Sequence, residues 1–179
     1  CHKKVQELNK QWEADGKPAL YTRFGLHTGD TIVGNLGSSE RMNYSVIGDS
    51  VNLASRLEGV NKMYGTSIIV SEAIYEKTKE QFHFRPLDIV AVKGKTKGIR
   101  IFELLAAKDD EISEAMKELI NHFPVGFEAY LKQDWDLAIK IFGQFTNDKV
   151  ARMYVGRCEE FKVNPPDEGW GGVTHLVTK

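Results

Sequence analysis

Apolar residues recur at two kinds of spacing along the chain, and the change from one to the other divides it near residue 107. The amino-terminal part mixes short alternating or continuous apolar runs, typical of strands, with runs spaced three and four apart, typical of helices. Strands are predicted over 20–27, 31–36, 42–47, 67–70, 82–92 and 99–105, and helices around 5–12, 51–63 and 72–79. A turn signal at Gly29-Asp30 predicts that the first two strands pair as a β-hairpin.

The carboxyl-terminal part carries helical spacing alone, until the Pro165-Pro166 pair interrupts it. Helices are predicted over 109–122, 124–132, 135–145 and 149–161. We therefore expect two units, an α+β domain over residues 1–106 and an all-helical extension over 107–179.

Composition narrows the classes of partner. Lys and Arg number 24 against 25 Asp and Glu, so a basic surface for nucleic acid is not indicated and a small molecule or a protein is the expected partner. The two cysteines, Cys1 and Cys158, form no CxxC pair, which argues against a disulfide framework or a zinc site and favours the cytoplasm. The amino end enters helical periodicity at once, so we expect sequence upstream of Cys1.

The segment from Arg23 to Glu58 reads RFGLHTGDTIVGNLGSSERMNYSVIGDSVNLASRLE. It resembles the core of class III adenylate and guanylate cyclases, and the resemblance extends over roughly residues 1–106. Its most specific part is YSVIGDSVNLASRLE, in which a strand is followed by a tight turn and a helix. The resemblance implies a ferredoxin-like α+β fold whose amino-terminal portion lies upstream of this chain.

Asn52 and Arg56 are four residues apart in the predicted helix and therefore share one of its faces. This spacing alone also suits an exposed pair on a solvated surface. The resemblance implies that Asn52 orients the ribose and that Arg56 stabilises charge on the α-phosphate. A planar guanidinium that stays ionised and forks to two oxygens suits that task.

Two further positions are candidate substrate-binding residues. Ser45 lies where the family places a residue that helps to read the purine, and its hydroxyl oxygen can accept a hydrogen bond from the adenine amino group. Lys93 begins the loop KGKTKG, which resembles the family's basic loop for the β- and γ-phosphates, with Lys95 as the alternative. A strand serine and a solvated basic hairpin are the corresponding structural interpretations.

The resemblance also implies two Mg²⁺ or Mn²⁺ ions held by two aspartates that have no counterpart in this sequence. Asp30 and Asp49 lie in turns of other motifs, so no metal ligand is assigned and the ligands are expected upstream. His27 is interpreted as a strand histidine with a structural partner. The family works as head-to-tail dimers, in which this chain would supply the Asn, Arg and base-reading side of each site.

Small and aromatic residues between Ala129 and Asp148 are spaced as in one tetratricopeptide (TPR) unit, which predicts a TPR-like extension. Trp170 is expected to anchor the tail against a helix. The tail also resembles those of certain membrane-tethered bacterial cyclases.

Together these features predict an adenylate cyclase that forms a homodimer and converts ATP to cyclic AMP. An upstream sensor domain and a cytoplasmic catalytic part are also expected. A guanylate cyclase and an inactive nucleotide-binding regulator are the alternatives.

Overall fold

The computed structural model describes residues 1–38, 41–91 and 98–175, which form a mixed α+β structure with a curled sheet. The predicted α+β class is therefore confirmed. The helices are α1 His2–Ala14, α2 Asp49–Tyr64, α3 Glu72–Thr78, α4 Glu114–Leu131, α5 Trp135–Phe142 and α6 Lys149–Val163. The strands are β1 Phe24–Leu26, β2 Ile32–Ser38, β3 Arg41–Ile47, β4 Ile68–Ser71, β5 Phe82–Ala91, β6 Ile99–Ala107 and β7 Val173–His175.

Five strands form the main sheet in the order β1-β4-β6-β5-β7. The inner pairs β4–β6 and β6–β5 are antiparallel, whereas the edge strands β1 and β7 run parallel to their neighbours. The strands β2 and β3 form a separate antiparallel pair, in register from Ile32 opposite Ile47 to Ser38 opposite Arg41.

The predicted hairpin between residues 20–27 and 31–36 is wrong. Strand β1 pairs with β4, and β2 pairs with β3 instead. A turn signal such as Gly29-Asp30 reverses the chain whether or not the flanking strands then pair. The pairing was decided by tertiary packing, because β1 lies under α2 beside β4.

The main sheet is covered on both faces. Successive residues of a strand point to opposite sides, so neighbouring residues join different clusters. Ile69 and Ile101 join a core that includes residues of α2, α4, α5 and α6. Their neighbours Val70 and Phe102 face a smaller cluster completed by α3 residues. Helix α2 and the carboxyl-terminal helices thus share one face of the sheet and one continuous core.

Gly25 allows β1 to lie unusually close to α2. A Cβ atom at this position would come within 2.2 Å of the Glu58 backbone nitrogen and 2.3 Å of the Ala54 carbonyl oxygen. Helix backbone cannot move aside as a flexible side-chain tip can. Any residue larger than glycine would therefore push α2 away from the sheet.

Gly25→Ala is expected to lower the free energy of unfolding by about 1–3 kcal/mol, as overpacking typically does. Gly59→Ala is the matched control, because Gly59 lies within α2 and a Cβ there would meet nothing within 4 Å. Since alanine is the better helix former, the control is expected to raise stability by up to about 1 kcal/mol. Urea denaturation of both variants measures the difference, and equal stabilities would contradict the close packing of β1.

Helix α4 is continuous from Glu114 to Leu131, although Pro124 lies inside it. The predicted separate helices over 109–122 and 124–132 are therefore wrong. Proline loses one helix hydrogen bond and usually breaks or kinks a helix. Here Phe123 and Phe127 lie on either side of it and are almost fully buried, so their packing stabilises a helix that continues through the proline.

The tail returns to the body of the protein. The Trp170 ring packs edge-on against Tyr130, Trp135 and Phe161, with centroid distances of 5.2, 5.7 and 5.3 Å. This confirms the predicted anchoring of the tail against the helices. Strand β7, which the sequence did not predict, then adds to the sheet beside β5.

Candidate active site

The candidate site is built on the connection from β3 to α2. Gly48 joins the two elements with φ +149°, a backbone conformation that side-chain-bearing residues rarely adopt. Its carbonyl oxygen accepts a hydrogen bond from the Asn52 backbone N–H at 3.2 Å, within the first turn of α2. The glycine therefore permits the strand to pass directly into the helix.

The buried face of α2 consists of residues spaced three and four apart, Leu53, Leu57, Val60, Asn61 and Tyr64. Asn52 and Arg56 each precede a buried leucine by one residue, which turns them about 100° away from the core. Both are exposed, on consecutive turns of the helix. The structure therefore places Asn52 and Arg56 side by side at the edge of the buried face.

Ser45 lies on β3, three residues before Gly48, and is half-buried. Directly opposite it on β2 is Gly34, where an added Cβ would meet nothing within 4 Å. Directly opposed residues present their side chains to the same face of a strand pair. The surface beside the Ser45 hydroxyl is consequently open.

His27 has the structural partner that the sequence predicted for it. Its Nδ1 atom lies 2.7 Å from the Ser71 hydroxyl oxygen, and both side chains are at least partly buried. Ser71 occupies the N-cap position of α3 without a side-chain capping hydrogen bond. The Ser71 hydroxyl interacts with the histidine and does not cap α3.

Lys93 and its alternative Lys95 lie outside the described residues. Within the described ranges, no group of three or more His, Cys, Asp or Glu side chains is arranged to hold a metal ion. The described side chains therefore do not fit a metal centre, and no chemical step is assigned to a metal here. The same ranges contain no helix long and apolar enough to cross a membrane.

Sequence reasoning missed two buried charges on β5, Arg85 and Asp88. The Arg85 guanidinium lies 2.6 Å from Glu103 and 2.9 Å from Asp148, and it stacks over the Phe123 ring. Burial raises the pKa of Glu103, and the charge of Arg85 opposes that rise. Opposite charges inside the apolar run FHFRPLDIVA were the signal that could have revealed a buried polar network.

The arrangement of sheet and helices is that of a nucleotide cyclase catalytic domain. The structure is similar to the crystal structure of the adenylyl cyclase CyaB from P. aeruginosa, with a TM-score of 0.53 and 34% sequence identity. The similarity covers 62% of this chain and 56% of that one.

Residues 3–134 match the model of the adenylate and guanylate cyclase catalytic domain, and the chain belongs to this family. The match continues past residue 106 and includes all of α4.

Related proteins of known activity are also nucleotide cyclases. Adenylate cyclase 1 from Rhizobium meliloti (strain 1021) is 43% identical over 102 residues, which cover 57% of this chain and 15% of the relative. The terminal-differentiation specific adenylate cyclase from Dictyostelium discoideum is 31% identical over 147 residues, 78% of this chain and 7% of the relative. The matched regions thus make up a small part of these relatives.

Proposed function

We propose that this chain is the nucleotide-binding side of an adenylate cyclase site, which converts ATP to 3′,5′-cyclic AMP and pyrophosphate. The observation that carries the proposal is the placement of Asn52 and Arg56 on consecutive exposed turns of α2. Ser45 precedes them on the strand that leads into this helix. Family membership and the adenylate cyclases among the relatives support the same reaction.

In this reaction the 3′-hydroxyl oxygen of ATP bonds to the α-phosphorus and its proton is released to solvent. The bond from that phosphorus to the bridging oxygen breaks, and this oxygen leaves with pyrophosphate. Negative charge grows on the α-phosphate oxygens as the bonds change. We assign Arg56 to these oxygens, because its guanidinium remains charged and can donate two parallel hydrogen bonds. Asn52 is assigned to the ribose, which it would orient for in-line attack.

Ser45 is assigned to the purine, and Lys93 to the β- and γ-phosphates. The open space opposite Ser45 supports the first assignment, since a base could approach the hydroxyl from that side. Lys93 follows β5, and its assignment depends on the sequence resemblance. A guanylate cyclase is the alternative within the family, and an inactive nucleotide-binding regulator is the alternative outside catalysis.

Ser45→Ala is expected to reduce the preference for ATP over GTP by roughly 2- to 13-fold. This range corresponds to the net worth of one hydrogen bond, about 0.5–1.5 kcal/mol. The measurement is kcat/KM for both nucleotides with the gene's full-length product. Ser55→Ala on the exposed side of α2 is the control and should change neither value. An unchanged preference for ATP over GTP in Ser45→Ala would exclude Ser45 from base recognition. A preference of the wild-type protein for GTP would favour the guanylate cyclase alternative.

We further propose that the β2–β3 hairpin contributes to the homodimer. Both of its strands expose large apolar side chains, including Tyr44 at 77%, Ile32 at 69% and Met42 at 60%. Such exposure is uncommon on a surface that stays in contact with water, and it marks interaction sites. A second copy packed head-to-tail would cover these residues and complete each active site.

The carboxyl-terminal helices are proposed as a TPR-like extension over residues 107–179. Gly126 supports this interpretation, because a Cβ there would lie 2.9 Å from the Phe142 ring, so the glycine allows α4 and α5 to pack closely. Small residues at helix contacts are typical of such repeats.

The remaining assignments concern the whole protein. We propose that Mg²⁺ or Mn²⁺ ligands and a sensor domain lie upstream in the gene's full-length product. Its catalytic part would be cytoplasmic.

A further inference from the structure

A buried polar network connects the helix that carries Asn52 and Arg56 to the carboxyl-terminal segment. At its centre is Asp88 of β5, whose side chain is fully buried. One of its carboxylate oxygens, Oδ2, accepts hydrogen bonds from the Tyr64 hydroxyl at 2.6 Å, from Arg157 at 2.7 Å and from the Thr174 hydroxyl at 2.9 Å. The other oxygen accepts the Ile89 backbone N–H at 2.8 Å. The network thus joins α2, β5, α6 and β7 at one carboxylate.

The charges in this network are mutually dependent. Burial by itself would lower the pKa of Arg157, but attraction to Asp88 outweighs that effect and raises the pKa above the ordinary range of arginine. Burial raises the pKa of Tyr64, and the negative charge of Asp88 raises it further. Tyr64 therefore remains a hydroxyl donor, and Arg157 remains the cation that balances the buried carboxylate.

A buried ion pair is a poor means of gaining stability, because apolar residues of similar size often serve as well or better. Buried polar groups can instead specify one arrangement of the elements that they connect. Here the connected elements include the last residue of α2. Tyr64 is eight residues beyond Arg56, or about 12 Å along the helix axis.

A helix transmits a rotation or tilt at its end to every residue along it. Asn61 fixes α2 to β1 by donating to the Phe24 carbonyl oxygen at 3.0 Å, on the side of the edge strand. Tyr64 connects the same end of α2 to β5 and α6, because its hydroxyl and Arg157 both donate to Asp88. Together with the buried side chains of α2, the two contacts constrain the rotation of the helix about its axis, and hence the position of Arg56.

We propose that Asp88 and Arg157 are positioning residues for the cyclase reaction, acting through Tyr64 to hold α2 where Asn52 and Arg56 meet the nucleotide. This inference rests on the proposed function. It assigns the carboxyl-terminal segment a part in catalysis, because Arg157 and Thr174 come from α6 and β7. Neither residue needs to contact the substrate.

The test compares two buried tyrosines in the gene's full-length product. Tyr64→Phe removes the hydroxyl that reaches Asp88, whereas Tyr154→Phe removes a hydroxyl that donates to the Leu87 carbonyl oxygen at 2.6 Å. Both tyrosines are almost fully buried, so each variant loses one buried hydrogen bond. Phenylalanine at position 154 also keeps the aromatic ring under the Arg157 guanidinium.

Tyr64→Phe is expected to lower kcat about tenfold with KM within about twofold, since a displacement near 1 Å at an active site can cost about 10²-fold. Tyr154→Phe is expected to leave both constants within about twofold of wild type. Equal falls in kcat would mean that the Tyr64 hydroxyl contributes general stability, and the positioning role would be lost.

Amide hydrogen exchange provides a readout that does not depend on activity. The amides of α2 are expected to exchange about tenfold faster in Tyr64→Phe than in wild type, while Tyr154→Phe leaves them unchanged. Unchanged exchange in Tyr64→Phe, or equal acceleration in both variants, would overturn the proposal. A wild-type protein without cyclase activity would end the proposed function, and α2 exchange would still decide whether Asp88 positions the helix.

Discussion

Replacing Arg56 by alanine in the gene's full-length product is expected to lower cyclase turnover by about a hundredfold or more. That is the usual effect of removing one preorganised group that stabilises charge in the transition state. Apparent affinity for ATP should change little, because the contact strengthens as charge develops on the α-phosphate. The exposed position of Arg56 on α2 also means that its loss should cost little stability.

Lys62→Ala is the matched control for this prediction. Lys62 is an exposed cation on the same helix, but it lies in the last turn of α2. Its removal should leave kcat unchanged while altering the net charge by the same amount. A rate in Arg56→Ala equal to that of the control would exclude a catalytic role for Arg56.

Two companion variants refine the assignment. Arg56→Lys keeps the charge but cannot fork to two oxygens, so its turnover should recover only in part. Asn52→Ala should also lower turnover. In the double variant Asn52→Ala/Arg56→Ala, turnover should fall by less than the product of the two single effects. Groups that act on one transition state are generally not additive.

The sequence predicted the local elements of the site better than their partners. The helix predicted around 51–63 matches α2, which ends before Gly65; this glycine adopts φ +73° and caps the helix as glycine typically does. That Asn52 and Arg56 share one face of α2 followed from helix periodicity alone. These features depend on interactions within a few residues, so a single sequence contains them.

Features that depend on distant residues were missed. The spacing of β1 and β2 suited a hairpin, and close packing of Gly25 against α2 placed β1 beside β4 instead. Pro124 indicated a helix break, but the burial of its aromatic neighbours kept α4 continuous. In each case a tertiary contact outweighed a local preference.

The Asp88 network also depends on residues that are distant in sequence. Asp88 is a charge within an apolar strand that the sequence analysis missed, and its partners lie 24, 69 and 86 residues away in sequence. No local pattern connects Tyr64, Arg157 and Thr174. Their convergence on one carboxylate follows from the packing of α6 and β7 on the sheet.

We propose that Asn52, Arg56, Ser45 and Lys93 form one side of a cyclase site, which needs metal-binding aspartates from elsewhere in the protein. Each of these four residues is assigned to the nucleotide, and none is assigned to a metal ion. By resemblance to the family, the aspartates that bind the two ions have no counterpart in this sequence. A triphosphate held on one side alone would lack the charge neutralisation on which phosphoryl transfer depends.

The most direct test measures cyclic AMP formed from ATP with Mg²⁺ or Mn²⁺, by the 179-residue chain and by the gene's full-length product. We predict no detectable product from the chain alone, and activity from the full-length product that is lost in Arg56→Ala. Cyclic AMP formed by the 179-residue chain would contradict the claim, because it would require a metal site among these residues. An inactive full-length product with its aspartates in place would contradict it as well, and would favour a regulatory nucleotide-binding domain.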